Sequence, residues 1–121
     1  MIMRQKEAIK VKKRNFFRLH SEICKTLANP KRQEILDNLR QKDKTVNQLV
    51  KKTGISQANL SQHLAILRTN GIVSTHRKGI NVYYSISNPK IIKAFDLISE
   101  VLEEALASQS KTIKAAINRK T

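Results

Sequence analysis

Reduced to apolar and polar positions, the chain is a series of short periodic blocks. Between about Gln5 and Leu27, the residues Ile9, Phe16, Leu19, Ile23 and Leu27 recur at helical spacing among charged residues, which predicts a long first helix. Asn29-Pro30 closes it and opens the next. Proline suits a first helical position, and Ile35, Leu36 and Leu39 give the second helix its apolar stripe. Thr45 reads as the N-cap of a short segment, Val46 to Thr53, with Val46, Leu49 and Val50 on one face and Gly54 as a left-handed stop. Ser56 then caps a fourth helix, from about Gln57 to Asn70, that closes at Gly71.

Beyond Gly71 the period drops towards two. Apolar residues alternate from Ile72 to Ile86 on either side of Arg77-Lys78-Gly79, predicting a hairpin with Val82, Tyr84 and Ile86 on one face and a cationic tip. Asn88-Pro89 opens a last helix, in which Ile91, Phe95, Ile98, Leu102 and Ala105 follow a 4,3,4,3 spacing while Ile92, Leu97, Val101 and Leu106 widen the stripe. After about Ser108 the residues turn basic and the pattern loosens, which predicts a frayed or disordered end.

These elements make a mainly α (α+β) fold, and 121 residues suit one modest core. With 4% aromatics and no Trp, that core is aliphatic. The expected organisation is a basic N-terminal extension over 1–19, a central domain over 20–107 and a basic tail over 108–121. The last helix offers more apolar surface than one small domain can cover. Together with the first it predicts a two-fold homodimer joined through Phe16, Leu19, Ile23, Ile91, Phe95, Ile98 and Leu102. No apolar stretch follows the cationic start and no 18 apolar residues run together, so a cytoplasmic protein with no membrane partner is expected. The lone Cys24 fits a reducing compartment.

The fourth helix is the most informative segment. Leu60, Leu64 and Leu67 sit at i, i+4 and i+7, whereas Ala58, Ser61, Gln62, Ala65 and Thr69 lie on the opposite side of the wheel. Leucines behind and compact hydrogen-bonding groups in front suit a helix that enters the major groove of DNA. Glutamine bonds adenine through both amide groups, serine serves donor or acceptor, and alanine touches the thymine methyl. Gln57, Ala58, Ser61 and Gln62 are the candidate base contacts. The cationic hairpin that follows is the wing of a winged helix-turn-helix, able to reach phosphates. Thr45, Ser56, Asn59, His63, Arg68, Arg77, Lys78 and Asn81 are the candidate phosphate contacts.

Charge strengthens this reading. Lys and Arg number 24 against 9 Asp and Glu, a net charge of +15, and no carboxylate occurs between Asp43 and Asp96. Phosphates repel carboxylates, which gives that gap a cause. An architectural protein coating DNA without preference is the alternative from another class. Such proteins need Lys and Arg at the contact positions, where this helix has Gln, Ser and Ala. No enzyme is expected: there is no phosphate-binding glycine loop and no HExxH, and Ser61 and His63 lie about 200° apart around the helix.

"LANPKRQEILDNL" followed by "TVNQLVKKTGISQANLSQHLAILRTNGIVSTHRKGINVYYSI" resembles the ArsR/SmtB family of winged-helix repressors over roughly residues 20 to 106. The specific pieces are Leu27-Ala28-Asn29-Pro30 with Arg32, Ser61-Gln62-His63-Leu64, Leu67-Arg68, Asn70-Gly71-Ile72-Val73, and Tyr83-Tyr84. The resemblance implies a homodimeric repressor that binds a palindromic operator and leaves it when an inducer binds. The basic stretch before Phe16 departs from the general pattern. So do the metal sites of such repressors: Val46, Asn47 and Gln48 stand where arsenic- and cadmium-sensing members have Cys-x-Cys, and the last helix has no His from Asn88 to Ala107. No cofactor is expected. The one residual metal pair is His20 and Cys24, i and i+4 on the first helix, with a buried thiol at the dimer contact as its plainer role. A dithiol redox sensor would need a second cysteine, so the inducer, small-molecule or redox, stays unassigned.

Overall fold

The computed structural model describes residues 5–120, so the first four residues of the expected extension and Thr121 of the tail lie outside the described residues. Its elements are α1 (Gln5–Leu27), α2 (Pro30–Leu39), α3 (Val46–Thr53), α4 (Gln57–Thr69), β1 (Val73–Lys78), β2 (Asn81–Ile86) and α5 (Lys90–Lys120). The fold is mainly helical with one two-stranded antiparallel sheet.

Local chemistry sets the boundaries. The Asn29 side chain accepts the backbone N–H of Lys31 at 3.0 Å and of Arg32 at 3.2 Å, while Pro30 fills the position where an N–H would be unsatisfied. At α3 the capping is reciprocal: Thr45 Oγ1 accepts from Gln48 N at 3.2 Å, and Gln48 Oε1 accepts from Thr45 N at 2.9 Å. Gly54 then takes φ +72°, where a side chain would be strained, and turns the chain into α4.

Two units compose the chain, one up to Ser87 and one from Asn88 onward. In the first, α2, α3 and α4 enclose an aliphatic core in which Ile35, Leu49, Leu60, Leu64 and Leu67 have no exposed surface. Each such side chain stabilises the fold by about 1.5–3 kcal/mol relative to exposure. Ile72 and Val73 extend this core to the first strand. The strands pair from Val73–Ile86 to Lys78–Asn81. Lys44 adds a third edge, its N–H and C=O bonding the C=O and N–H of Tyr84 at 3.1 and 2.8 Å. Its side chain is buried, and Nζ donates to the Asn38 carbonyl. Burial, then Lys42 and Lys52 nearby, push the Lys44 pKa below its ordinary value.

The hairpin apex differs from the expected one. Arg77 and Lys78 are the last residues of β1, opposite Val82 and Asn81, and the turn is Gly79-Ile80. Gly79 has φ +64° and, among the described residues, none but glycine has positive φ, the pattern of a type II′ turn with glycine first. Pairing therefore continues through Lys78, and the residue at the apex is Ile80, 97% exposed.

The second unit is α5, capped by Asn88 Oδ1, which accepts from Lys90 N at 3.0 Å. It continues without interruption to Lys120, where a frayed or disordered end was expected after Ser108. The cause is a change of repeat rather than a loss of it. Ile91, Leu102 and Ile113 lie 11 residues apart, as do Phe95, Leu106 and Ile117. Eleven residues close three turns to within about 20°, so a single apolar line continues down the helix. The sequence boundaries at 19 and 107 accordingly fall inside α1 and α5.

Candidate nucleic-acid interface

The α4 helix is fixed from behind and open in front. Leu60, Leu64 and Leu67 are fully buried, whereas Gln57, Ala58, Asn59, Ser61, Gln62, Ala65, Arg68 and Thr69 are all exposed. Ser56 Oγ accepts from Asn59 N at 3.3 Å and so caps the end that leads into the groove in helix-turn-helix proteins. At 100° per residue, Ala58, Gln62, Ala65 and Thr69 fall within an arc of about 60°. Ile66 borders the same side and is 37% exposed, an apolar contact the sequence reading left out.

His63 has an internal partner. Its Nδ1 accepts from Arg32 Nε at 3.2 Å, and Arg32 Nη1 reaches the Thr26 carbonyl at 3.3 Å, so one guanidinium ties the end of α1 and α2 to the recognition helix. Burial, then the charges of Arg32 and Lys31, lower the His63 pKa. The neutral ring is the form that can accept this bond, with its own proton on Nε2. Both residues stood out in the sequence as motif pieces; their pairing, 31 positions apart, did not.

The wing is braced on the α3 side. His76 Nε2 lies 3.5 Å from an Asp43 carboxylate oxygen, the His76 ring stacks on Tyr83 with centroids 5.7 Å apart, and Lys78 Nζ lies 5.8 Å from the Tyr83 centroid. A shallow hollow of about 490 Å³ lies here, lined by Lys42, Asp43, Gln48, His76, Lys78 and Tyr83. Asp43, the last carboxylate before the acid-free stretch, thus faces the wing rather than bulk solvent alone. Arg77, Lys78 and Asn81 are exposed. Thr45 and Ser56 both spend a lone pair on capping and keep a hydroxyl proton to donate.

A neutral helix face set between a short capped helix and a cationic hairpin is the shape of a winged DNA-binding domain, and comparison with known proteins agrees. Residues 29–75 match the bacterial regulatory proteins of the arsR family. Rv0081 of Mycobacterium tuberculosis H37Rv, named as an uncharacterised HTH-type transcriptional regulator, is 36% identical over 94 residues, 77% of this chain and 82% of that protein. This chain belongs to the arsR family. The nodulation protein NolR of Rhizobium meliloti is 43% identical over 75 residues, and the match spans 62% of either protein. The crystal structure of Rv0081 aligns with a TM-score of 0.73 at 36% identity, over 78% of this chain and 95% of that one. A homodimeric winged helix-turn-helix DNA-binding domain, Mb0332 of Mycobacterium bovis, aligns at 0.71 with 31% identity, over 78% and 87%. Other relatives are named transcriptional repressors, and one an activator.

The remaining predicted sites lie elsewhere. Cys24 is exposed in the single chain, with Sγ 3.5 Å from His20 Nδ1. Among the described residues, no three His, Cys, Asp or Glu side chains are grouped to hold a metal ion. Of the predicted dimer residues, Phe16, Leu19, Ile23, Ile98 and Leu102 are exposed, while Ile91 and Phe95 are partly covered. Among the described residues no helix is long and apolar enough to cross a membrane.

Proposed function

We propose that this arsR-family regulator is a homodimeric repressor that reads a palindromic operator in the bacterial cytoplasm. The observation that carries the reading is the α4 face: Ala58, Ser61 and Gln62, with Gln57 exposed on the first turn beside them, stand neutral and without a carboxylate on a helix whose other side is locked by three buried leucines. Amides and hydroxyls at such positions discriminate bases, whereas a coating protein would present cations. Ser56, Asn59, Arg68, Arg77, Lys78, Asn81 and the free hydroxyl proton of Thr45 surround that face as phosphate donors. His63, engaged by Arg32, acts by holding the helix.

Exposed Phe16 at 61%, Ile98 at 69% and Leu102 at 57% support pairing through α1 and α5. So does the homodimeric state of the Mb0332 domain. Two recognition helices then face successive major grooves, about 34–36 Å apart, and a dimer seated there excludes polymerase from the same duplex. The test is titration of operator and scrambled duplexes with the wild type and Gln62→Ala. The substitution costs about 1–3 kcal/mol on the operator and little on scrambled DNA. Equal binding of both duplexes by both proteins would hand the case to the architectural reading.

A further inference from the structure

The α1 helix contains a charged surface that the recognition reading leaves unused. Between Gln5 and Ser21 it has six cations, Lys6, Lys10, Lys12, Lys13, Arg14 and Arg18, against the single carboxylate of Glu7. The positions are sorted around the helix. At 100° per residue Lys6, Lys10, Lys13 and Arg14 fall within an arc of about 100°, with Arg18 about 40° beyond it and Glu7 between Arg14 and Arg18. Ile9, Phe16, Leu19 and Ile23 occupy a separate arc of about 80°, shared by Lys12 alone among the cations. From Gln5 to Lys25 every side chain except that of Ala8 is exposed, and the helix is tied to the rest of its unit at its last turn, through Thr26 and Leu27. The free part is about 30 Å long, the length of about nine base pairs.

We propose that the cationic face of α1 is a second phosphate-binding surface that takes the duplex flanking the operator. The inference rests on the DNA-binding reading and deepens it. Arg32 ties the end of α1 to α4 through Thr26 and His63, so the α1 cations are tethered to any duplex that α4 holds, and a second contact made by them forms at high effective concentration and needs no tight affinity of its own. The geometry of the cations suits a backbone and not bases: they are long, flexible and evenly charged, which gives attraction without sequence choice. Basic amphipathic helices also bind anionic membranes, but they do so by burying the apolar face. Here that face contains Phe16, Leu19 and Ile23, the residues assigned to the partner subunit, which leaves the cations without an apolar anchor.

The experiment uses the full chain and a duplex selected by it from random-sequence DNA, trimmed to flanks of 4 or 20 base pairs. Glutamine keeps helix propensity close to that of Lys and Arg, so the variant K10Q/K13Q/R14Q retains α1, checked by circular dichroism. The wild type should bind the long duplex at least tenfold tighter than the short one, and the variant should bind both within about twofold while matching the wild type on the short duplex. The slope of log affinity against log salt should flatten in the variant on the long duplex only. Wild-type binding that ignores flank length, or a variant that keeps the preference, overturns the inference and leaves the recognition helix intact. Binding of phosphatidylglycerol vesicles in preference to the long duplex, lost in the variant, overturns it in favour of a membrane. Selection of no duplex at all brings down the DNA-binding reading and this inference with it.

Discussion

Helices α4 and α1 are both amphipathic, yet they are held in opposite ways. The α4 helix has 13 residues, a serine cap and three leucines with no exposed surface, and its outer face is small and neutral. The α1 helix has 23 residues, docks by its last turn and shows cations to solvent along its length. The difference follows from what each face is suited to touch. A hydrogen bond to a base edge weakens steeply with angle and fails beyond about 3.5 Å, so the helix making it must be fixed by a core. A cation on a flexible stem acts over about 8–10 Å at ordinary salt, so its helix tolerates loose anchorage. Precision is built where sequence is read, and reach where charge is matched.

The sharpest way to break this comparison is to loosen α4. Replacing Leu64 with Ala, at a site without exposure, should lower the unfolding free energy by about 2–5 kcal/mol, read by denaturant titration. The equivalent truncation Leu19→Ala on α1 should leave the fold of the unit nearly unchanged. A smaller loss is expected at the subunit contact. Phe16→Glu should weaken dimerisation by about 2 kcal/mol, roughly thirtyfold, in light scattering or sedimentation, and an unchanged dimer would remove α1 from the interface. The wing sits between the two regimes. Arg77→Ala should weaken operator and scrambled DNA alike and flatten the salt slope by about one unit per lost contact, in contrast to Gln62→Ala.

The smallest effect concerns the Arg32–His63 bond that seats α4. Burial and neighbouring cations lower the His63 pKa in the fold, so the folded state holds fewer protons than the unfolded chain. Its contribution is complete above the ordinary imidazole value near 6.5 and is lost as pH falls below it. Protonation would also place a donor opposite Arg32 Nε. Melting temperature should therefore decline from pH 7.5 to pH 5.5. His63→Gln, which offers an acceptor at every pH, should flatten that part of the profile.

Most of the first unit was legible because its signals are local. Pro30, Thr45, Gly54 and Ser56 each act within four residues, and the caps and the left-handed stop form where their chemistry requires. The leucines of α4 were equally plain, since a 3.6-residue period is written along one segment. What escaped notice depends on separation or on phase. Arg32 and His63, Asp43 and His76, and Lys44 and Tyr84 meet only after folding. The hairpin apex slipped by one residue because Arg77, Lys78 and Gly79 read as a tip by composition, whereas the turn is set by the one residue there that tolerates positive φ. The end of α5 was misread because a seven-residue template finds no continuation past Ala105, while an eleven-residue one runs through Ile113 and Ile117.

Buried Lys44 makes the protein its own recorder of opening. An amine-directed acylating reagent meets the lysines of α1 and the wing at once, but it reaches Lys44 only in molecules that have opened enough to free its buried Nζ from the Asn38 carbonyl. The slow appearance of label at this one lysine, followed by mass spectrometry, then measures how often the packing around it between α2 and α3 opens.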